Sequence, residues 1–544
     1  MDVIYREEEV AAAASSLAGR LVEAGVPARL AGGDPTLWGA GASPEGGAGA
    51  AARLGWLTLP STSRELLPEL GRLAGWARAE GLTNVVLAGM GGSSLAAEVI
   101  CATADVPLTV LDTTDPAEVR RALADNLDAT VLVVASKSGS TVETDSHLRV
   151  YRQLFEEAEI DPADRIVVVT DPGSPLEQEA VERGYRLVPA PADVGGRYAA
   201  LSAFGLVPSA LAGVDVERLL DDADEVLPLL SKEAGNPGLL LGAALGAAAL
   251  GGRDKLILDD QLSSLNGLPD WIEQLVAEST GKDGKGILPV VAAEPRGAAD
   301  ELVVAIDSDG AHDGDVRVDG PLGAQFLVWE YATAVAGLAL EVDPFDQPNV
   351  AESKLNTAAL LDLPELPVGE PVLVDGPVEV HGSTRARDLS GVLTELLDSI
   401  PDDGYLAVTA FLDRLAAFDA PVPEGADFEQ MTDAWLAADA ATLRALLAMR
   451  TERPVTFGWG PRFLHSTGQY HKGGPQNGVF LQITGAVTDD VPVPGRPYTL
   501  GRLQLAQALG DLGALLNRER PAVRLHLTDR AAGVARLLAA AQEV

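Results

Sequence analysis

Ala129-Thr-Val-Leu-Val-Val-Ala135 runs directly into Ser136-Lys-Ser-Gly-Ser-Thr-Val-Glu-Thr144. The first segment is short, apolar and β-branched, the pattern of a parallel strand buried on both faces. In the second, helical spacing sets in at Glu143 and Thr144 and continues through Leu148, Tyr151, Leu154 and Phe155, so the junction reads as a strand-to-helix turn. It carries five hydroxyls and one ammonium. Hydroxyls and unpaired backbone N–H groups at a helix N-terminus, with the helix dipole behind them, suit a phosphate dianion. The GxxxxGK[ST] spacing is missing, so this is not a nucleotide P-loop.

A second turn of the same kind lies upstream. Asn84-Val-Val-Leu-Ala88 reads as a strand, and Gly89-Met-Gly-Gly-Ser-Ser-Leu95 follows it into a helix. Glycines there let backbone approach a ligand closely, with Gly92 and Ser93 at the helix start. A dinucleotide GxGxxG fingerprint fails, because Ser94 stands where the third glycine belongs. Further strands at 108–112, 165–170 and 185–188 alternate with helices, which implies a doubly wound parallel sheet with ligands at the carboxyl ends of its strands.

Outward from that block, residues 1–80 read as a helical packing arm around Asp34-Pro-Thr-Leu-Trp38 and Arg53-Leu-Gly-Trp-Leu57, with no chemistry assigned. Residues 81–215 form the first domain, and 236–544 a second α/β domain. Gly195-Gly-Arg197-Tyr198 places an arginine at a Gly-Gly helix start, an anion ligand by type. Glu278 sits one turn from the end of a helix over 268–280, before Gly281-Lys282. Lys354 falls on the first turns of a helix after Asp343-Pro-Phe-Asp-Gln-Pro, where a lysine opposes the dipole and calls for an anionic partner. Residues 362–400 are proline-punctuated and read as loop. Gly460–Gly474 concentrates Arg462, His465, His471 and Lys472; without a cysteine or local carboxylate this pattern favours acid/base use over zinc. His147, His312, His381 and His526 lack such company and read as structural.

The 544-residue chain has a net charge of −40, which argues against nucleic acid or an anionic membrane as partner. It holds seven lysines against 33 arginines, and four of the seven (Lys137, Lys282, Lys354, Lys472) lie in the segments above. Positive charge is therefore expected locally inside an acidic exterior. The single cysteine, Cys101, can form no internal disulfide. With no apolar run long enough to span a bilayer and no secretory signal, a cytoplasmic enzyme is expected.

Taken together, Gly91-Gly-Ser93, Ser136-Lys-Ser138 through Thr144, Gly195–Tyr198, Glu278–Lys282 and Gln347–Lys354 resemble, in order, the phosphoglucose isomerase family of the sugar-isomerase (SIS) superfamily. Arg53-Leu-Gly-Trp and His465-Ser-Thr-Gly-Gln are similar to the isomerase half of bacterial transaldolase–phosphoglucose isomerase fusions. The resemblance implies two doubly wound, three-layer αβα domains. His471 follows Lys354 here, whereas the family's histidine precedes its lysine, so the second domain is expected to be circularly permuted. It also implies isomerisation of glucose 6-phosphate to fructose 6-phosphate. Ser93, Ser136, Lys137, Ser138 and Thr141 would hold the phosphate beside Gly92. His471, or His465 as its rival, would open the ring with Lys354; Glu278 would carry the proton between C2 and C1, and Arg197 would stabilise the enediolate. No metal or cofactor is implied, and a homodimer is among the expectations. The alternatives are a bifunctional phosphoglucose/phosphomannose isomerase and a phosphosugar-binding module without chemistry, which would lack Glu278, Arg197 and the Lys/His pair.

Overall fold

A computed structural model describes residues 1–38, 53–261, 263–291, 295–306, 314–420, 422 and 426–544; His312 lies outside them. The chain divides into two compact units, Met1–Asp112 with Ala122–Pro348, and Thr113–Arg121 with Asn349–Val544.

The first unit opens on a strand, β1 (Asp2–Tyr5), so the N-terminal arm is not purely helical as the sequence suggested. Four residues are too few to show a period, and β1 exists because it pairs antiparallel to a strand more than 300 residues later. The first doubly wound sheet follows: β2 (Asn84–Gly89), β3 (Thr109–Leu111), β4 (Thr130–Ala135), β5 (Ile166–Thr170) and β6 (Arg186–Pro189). Their order is β3-β2-β4-β5-β6, all parallel. All six residues of β4 are buried, as a strand covered by helices on both faces requires. The winding reverses between β2 and β4, and Gly89 pairs in register with Ala135, so the two polar turns leave the sheet side by side at its switch point.

A second sheet in the same unit comprises β7 (Lys255–Asp259), β8 (Leu288–Val290), β9 (Glu301–Ile306) and β10 (Val316–Asp319), ordered β1-β10-β9-β7-β8. The helices Pro237–Leu250 and Leu322–Leu340 are apolar on nearly all sides and almost wholly buried. They pack closely because Gly238, Gly242 and Gly246 face Tyr331, Val335 and Ala339, where any side chain would collide.

The second unit has its own sheet, β11 (Leu373–Asp375), β12 (Val378–His381), β13 (Tyr405–Phe411), β14 (Val455–Trp459), β15 (Gly478–Gly485) and β16 (Ala522–Leu527), ordered β11-β12-β16-β15-β13-β14. Its core includes Val380, Leu406, Val408, Leu481, Ile483 and Leu525. The four strands β16-β15-β13-β14 are parallel, and β11 and β12 form an antiparallel hairpin at the edge. Residues 236–544, expected as one permuted domain, are thus spread over two sheets, and the last α/β elements form a sheet of their own. The stretch 362–400, read as loop, holds that hairpin and the helix Leu389–Asp398, whose first turn is capped by Asp388 accepting from the Gly391 N–H at 2.8 Å. Its prolines and Gly376 punctuate the hairpin and do not abolish it. Among the described residues, no helix is long and apolar enough to cross a membrane.

Candidate active site

The turn after β4 is built by its own hydroxyls. Ser136 Oγ lies 3.0 Å from Thr141 Oγ1 and accepts from the Gly139 N–H at 3.2 Å, while Ser138 Oγ accepts from Ser140 Oγ at 3.1 Å. Gly139 has φ +66° and a Cβ there would meet Leu176 N at 2.9 Å, so the turn requires glycine. Thr141 precedes the helix Val142–Glu157 and its side chain makes no cap hydrogen bond, so the hydroxyl is not spent on the helix end. Ser138 and Ser140 are exposed, Ser136 is buried and Lys137 is half-buried. The ammonium of Lys137 is already paired: it donates to Asp171 Oδ2 at 2.6 Å and to the carbonyls of Pro191 and Ala192 at 3.4 Å. Burial pushes the Asp171 carboxyl up from its usual range, and Lys137 works against that shift.

Beside it, the Gly91–Ser93 turn packs backbone to backbone on the arginine loop. A Cβ on Gly92 would lie 2.0 Å from the Gly196 carbonyl oxygen and 2.7 Å from the Arg197 nitrogen. Tyr198 fixes that loop from below, with its ring 5.4 Å from Trp56 and 5.1 Å from Phe345. The segment is a single turn, Gly196–Tyr198, and the helix expected to start at Gly195-Gly196 begins instead at Ala203, where Ser202 accepts from the Phe204 N–H.

Arg197 is buried, and five acceptors surround its guanidinium. It donates to Ser279 Oγ at 2.8 Å, Gln347 Oε1 at 3.1 Å, and the carbonyls of Pro344 and Asp346 at 2.6 and 2.9 Å. Its Nη1 lies 3.2 Å from Glu278 Oε1, an ion pair whose two side chains are 3% and 7% exposed. The second carboxylate oxygen of Glu278 accepts from Gln274 Nε2 at 3.1 Å, one helical turn back. Lys282 grips the same loop as Arg197, donating to the carbonyls of Asp343 and Asp346 at 2.5 and 2.8 Å and to Asp346 Oδ1 at 2.5 Å. Burial, reinforced by the Arg197 charge, pulls its pKa down to about 8. The sequence marks Lys282 and Gln347 as motif members without a role; here both set the loop that orients Arg197. Asp171 and Gln274 carry no motif signal at all and are found only through the contacts they make.

The remaining candidates belong to the second unit. Lys354 is exposed on the helix Val350–Leu361. His465 is half-buried at the end of a single turn, Arg462–His465. His471 is enclosed by Tyr405, Phe463 and Phe480, with ring centroids 5.3–6.1 Å away, and its Nε2 is buried without a hydrogen-bond partner. Burial, with the Lys472 and Arg520 charges, holds its pKa well below the ordinary histidine value, so the ring is neutral. Lys472 is spent on Asp511 at 2.6 Å in a buried pair.

Residues 69–287 match the family model described as phosphoglucose isomerase. A probable glucose-6-phosphate isomerase of Haloarcula marismortui is 38% identical over 226 residues, 40% of this chain and 50% of that protein. One of Natronomonas pharaonis is 31% identical over 303 residues, 49% of this chain and 70% of that protein. The chain belongs to the phosphoglucose isomerase family. It spans about half the length of the first curated relatives that it matches. A crystal structure of a glucose-6-phosphate isomerase from Chlamydia trachomatis has a TM-score of 0.54 at 18% identity, over 65% of this chain and 87% of the other, which shows a shared fold. The family's matched span contains the two polar turns, the arginine loop and Glu278, all in the first unit.

Proposed function

We propose that the protein interconverts glucose 6-phosphate and fructose 6-phosphate through an enediolate. The buried Arg197–Glu278 pair carries this reading, because it sets a carboxylate and a permanent cation 3.2 Å apart with both side chains almost fully buried. Glu278 takes the proton from C2 of the open-chain aldose and returns it to C1, a positioned general base acting on a carbon next to a carbonyl. As the carboxylate is neutralised, negative charge grows on the sugar oxygens, so the counter-charge of Arg197 passes from Glu278 to the enediolate. Four other acceptors hold the guanidinium in place, so little reorganisation accompanies that transfer. Gln274 keeps the second carboxylate oxygen oriented.

The phosphate is assigned to the turn after β4, with Ser136, Ser138, Thr141 and the positive end of the following helix, and with Ser93 in the neighbouring turn. Binding at that remote end orients the reacting carbons. Lys137 contributes through its pair with Asp171. Of the two histidines expected to open the ring, we assign the role to His465, with Lys354, because the neutral, enclosed ring of His471 serves as packing. A cytoplasmic location follows from the substrate. The test is conversion of fructose 6-phosphate to glucose 6-phosphate by purified protein, with mannose 6-phosphate in parallel. Turnover of the first pair supports the reading, and its absence at any pH between about 6 and 9 sinks it.

A further inference from the structure

The cations around the first-unit site are nearly all neutralised. Lys137 has Asp171 at 2.6 Å, Arg197 has Glu278 at 3.2 Å, and Lys282 has Asp346 at 2.5 Å. A phosphate dianion brought to this wall would meet three ion pairs, each with its charge already balanced. Arg53 is different. Among the described residues its guanidinium has no hydrogen-bond or ion-pair partner, although the side chain is half-buried. The backbone holds it there: Leu54 bridges Val194, and the Gly55 N–H donates to the Asp193 carbonyl at 3.0 Å. The stem lies on the arginine loop, with Cδ 3.8 Å from the Cβ position of Gly195. Burial lowers its pKa, and Arg197, Asp343, Glu278 and Asp171 are the charges near enough to act on it.

We infer that Arg53 is a substrate-anchoring residue, supplying the uncommitted positive charge that holds the phosphate group of the substrate. A guanidinium presents a planar fork that two phosphate oxygens can accept together, and it stays charged when half-buried. The assignment rests on the isomerase reading for the identity of the substrate, but the anion it requires is only phosphate. It also gives the Arg53-Leu-Gly-Trp segment, read from sequence as packing, a chemical role: Leu54 and Gly55 set the backbone, Trp56 packs on Tyr198, and Arg53 reaches the site.

Arg53→Met and Arg53→Lys test this with two probes. Inorganic phosphate is titrated calorimetrically into each protein, and fructose 6-phosphate turnover gives KM and kcat. Arg53→Met is expected to weaken phosphate and raise KM by a common factor on the order of 10–100, the scale of a charge-assisted bidentate contact, with kcat within a few-fold of wild type. Arg53→Lys is expected to lie between. Unchanged phosphate affinity in folded Arg53→Met overturns the inference, as does a fall in kcat with KM and phosphate affinity unmoved. Should Arg53→Met not fold, Arg53→Lys decides, and wild-type phosphate affinity there overturns it. If wild type turns over no sugar phosphate, the isomerase reading fails, and the calorimetric comparison still tests Arg53.

Discussion

Gly92→Ala adds one carbon at the point where the first turn meets the arginine loop. The new Cβ would sit 2.0 Å from the Gly196 oxygen and 2.2 Å from its carbonyl carbon. Bringing the oxygen contact from 2.0 to the 3.0 Å that real Cβ atoms respect takes a shift of about 1 Å, and both partners are backbone, so neither can rotate away. The residue that moves with Gly196 is Arg197. A displacement of about 1 Å at a catalytic group costs on the order of 10²-fold in rate, and overpacking of this kind costs about 1–3 kcal/mol of stability. The assay is kcat/KM for glucose 6-phosphate beside calorimetric melting, with Gly75→Ala as the control. Gly75 lies in the helix Leu67–Ala79 with nothing within 4 Å of its Cβ position, so alanine there should be neutral or stabilising, by up to about 1 kcal/mol, at unchanged rate. Gly92→Ala with wild-type kcat/KM would refute the claim that this contact places Arg197.

Other outcomes follow from the same geometry. Ser136→Ala with Thr141→Ala should weaken inorganic phosphate and sugar phosphates together, read as a common rise in the phosphate inhibition constant and in KM, with kcat falling as the sugar is held less well. His465→Ala should lose activity on cyclic glucose 6-phosphate and keep that on the open-chain fraction; His471→Ala should instead cost about 3 kcal/mol of stability, as loss of an enclosed ring does. Because the folded pKa of His471 lies below the ordinary value of 6.5, its unfolded form takes a proton first, so stability is held above that pH and lost as pH falls through it. His471→Phe should therefore lose less melting temperature than wild type between about pH 7 and pH 5. Lys282 has a folded pKa of about 8 against 10.5 unfolded, so it opposes folding below about pH 8 and that opposition fades as pH rises toward 10.5. Lys282→Met should abolish this alkaline gain, seen as the melting difference between the two proteins at about pH 7 and pH 9.5.

Strand β4 and the turn after it were legible because burial on both faces leaves a local mark, an unbroken β-branched run, and because the turn concentrates its hydroxyls in a few consecutive positions. Glu278 and Arg197 were legible as motif members, but their 3.2 Å pairing joins residues 81 apart and leaves no local trace. The same holds for β1, whose existence depends on β10, and for the grip of Lys282 on the 343–346 loop. Sequence weighed His471 and His465 by their neighbours in the chain; the enclosure of His471 by Tyr405, Phe463 and Phe480 joins residues far apart and leaves no local trace. The hairpin at 373–381 was hidden for the opposite reason, since prolines and a glycine that mark its turn also mimic a loop.

In the mechanism proposed above, Glu278 moves the proton between C2 and C1. Conversion of fructose 6-phosphate in deuterated water, followed by NMR at C2 of glucose 6-phosphate, reads that step. Wild type should place deuterium at C2 in the turnovers in which the proton on Glu278 exchanges with solvent before delivery, and protium in the rest. Glu278→Gln retains the shape of the side chain and should lose both label and turnover by on the order of 10²–10⁴-fold, with phosphate affinity unchanged. Label appearing in Glu278→Gln at a rate within a few-fold of wild type would place the base at another residue.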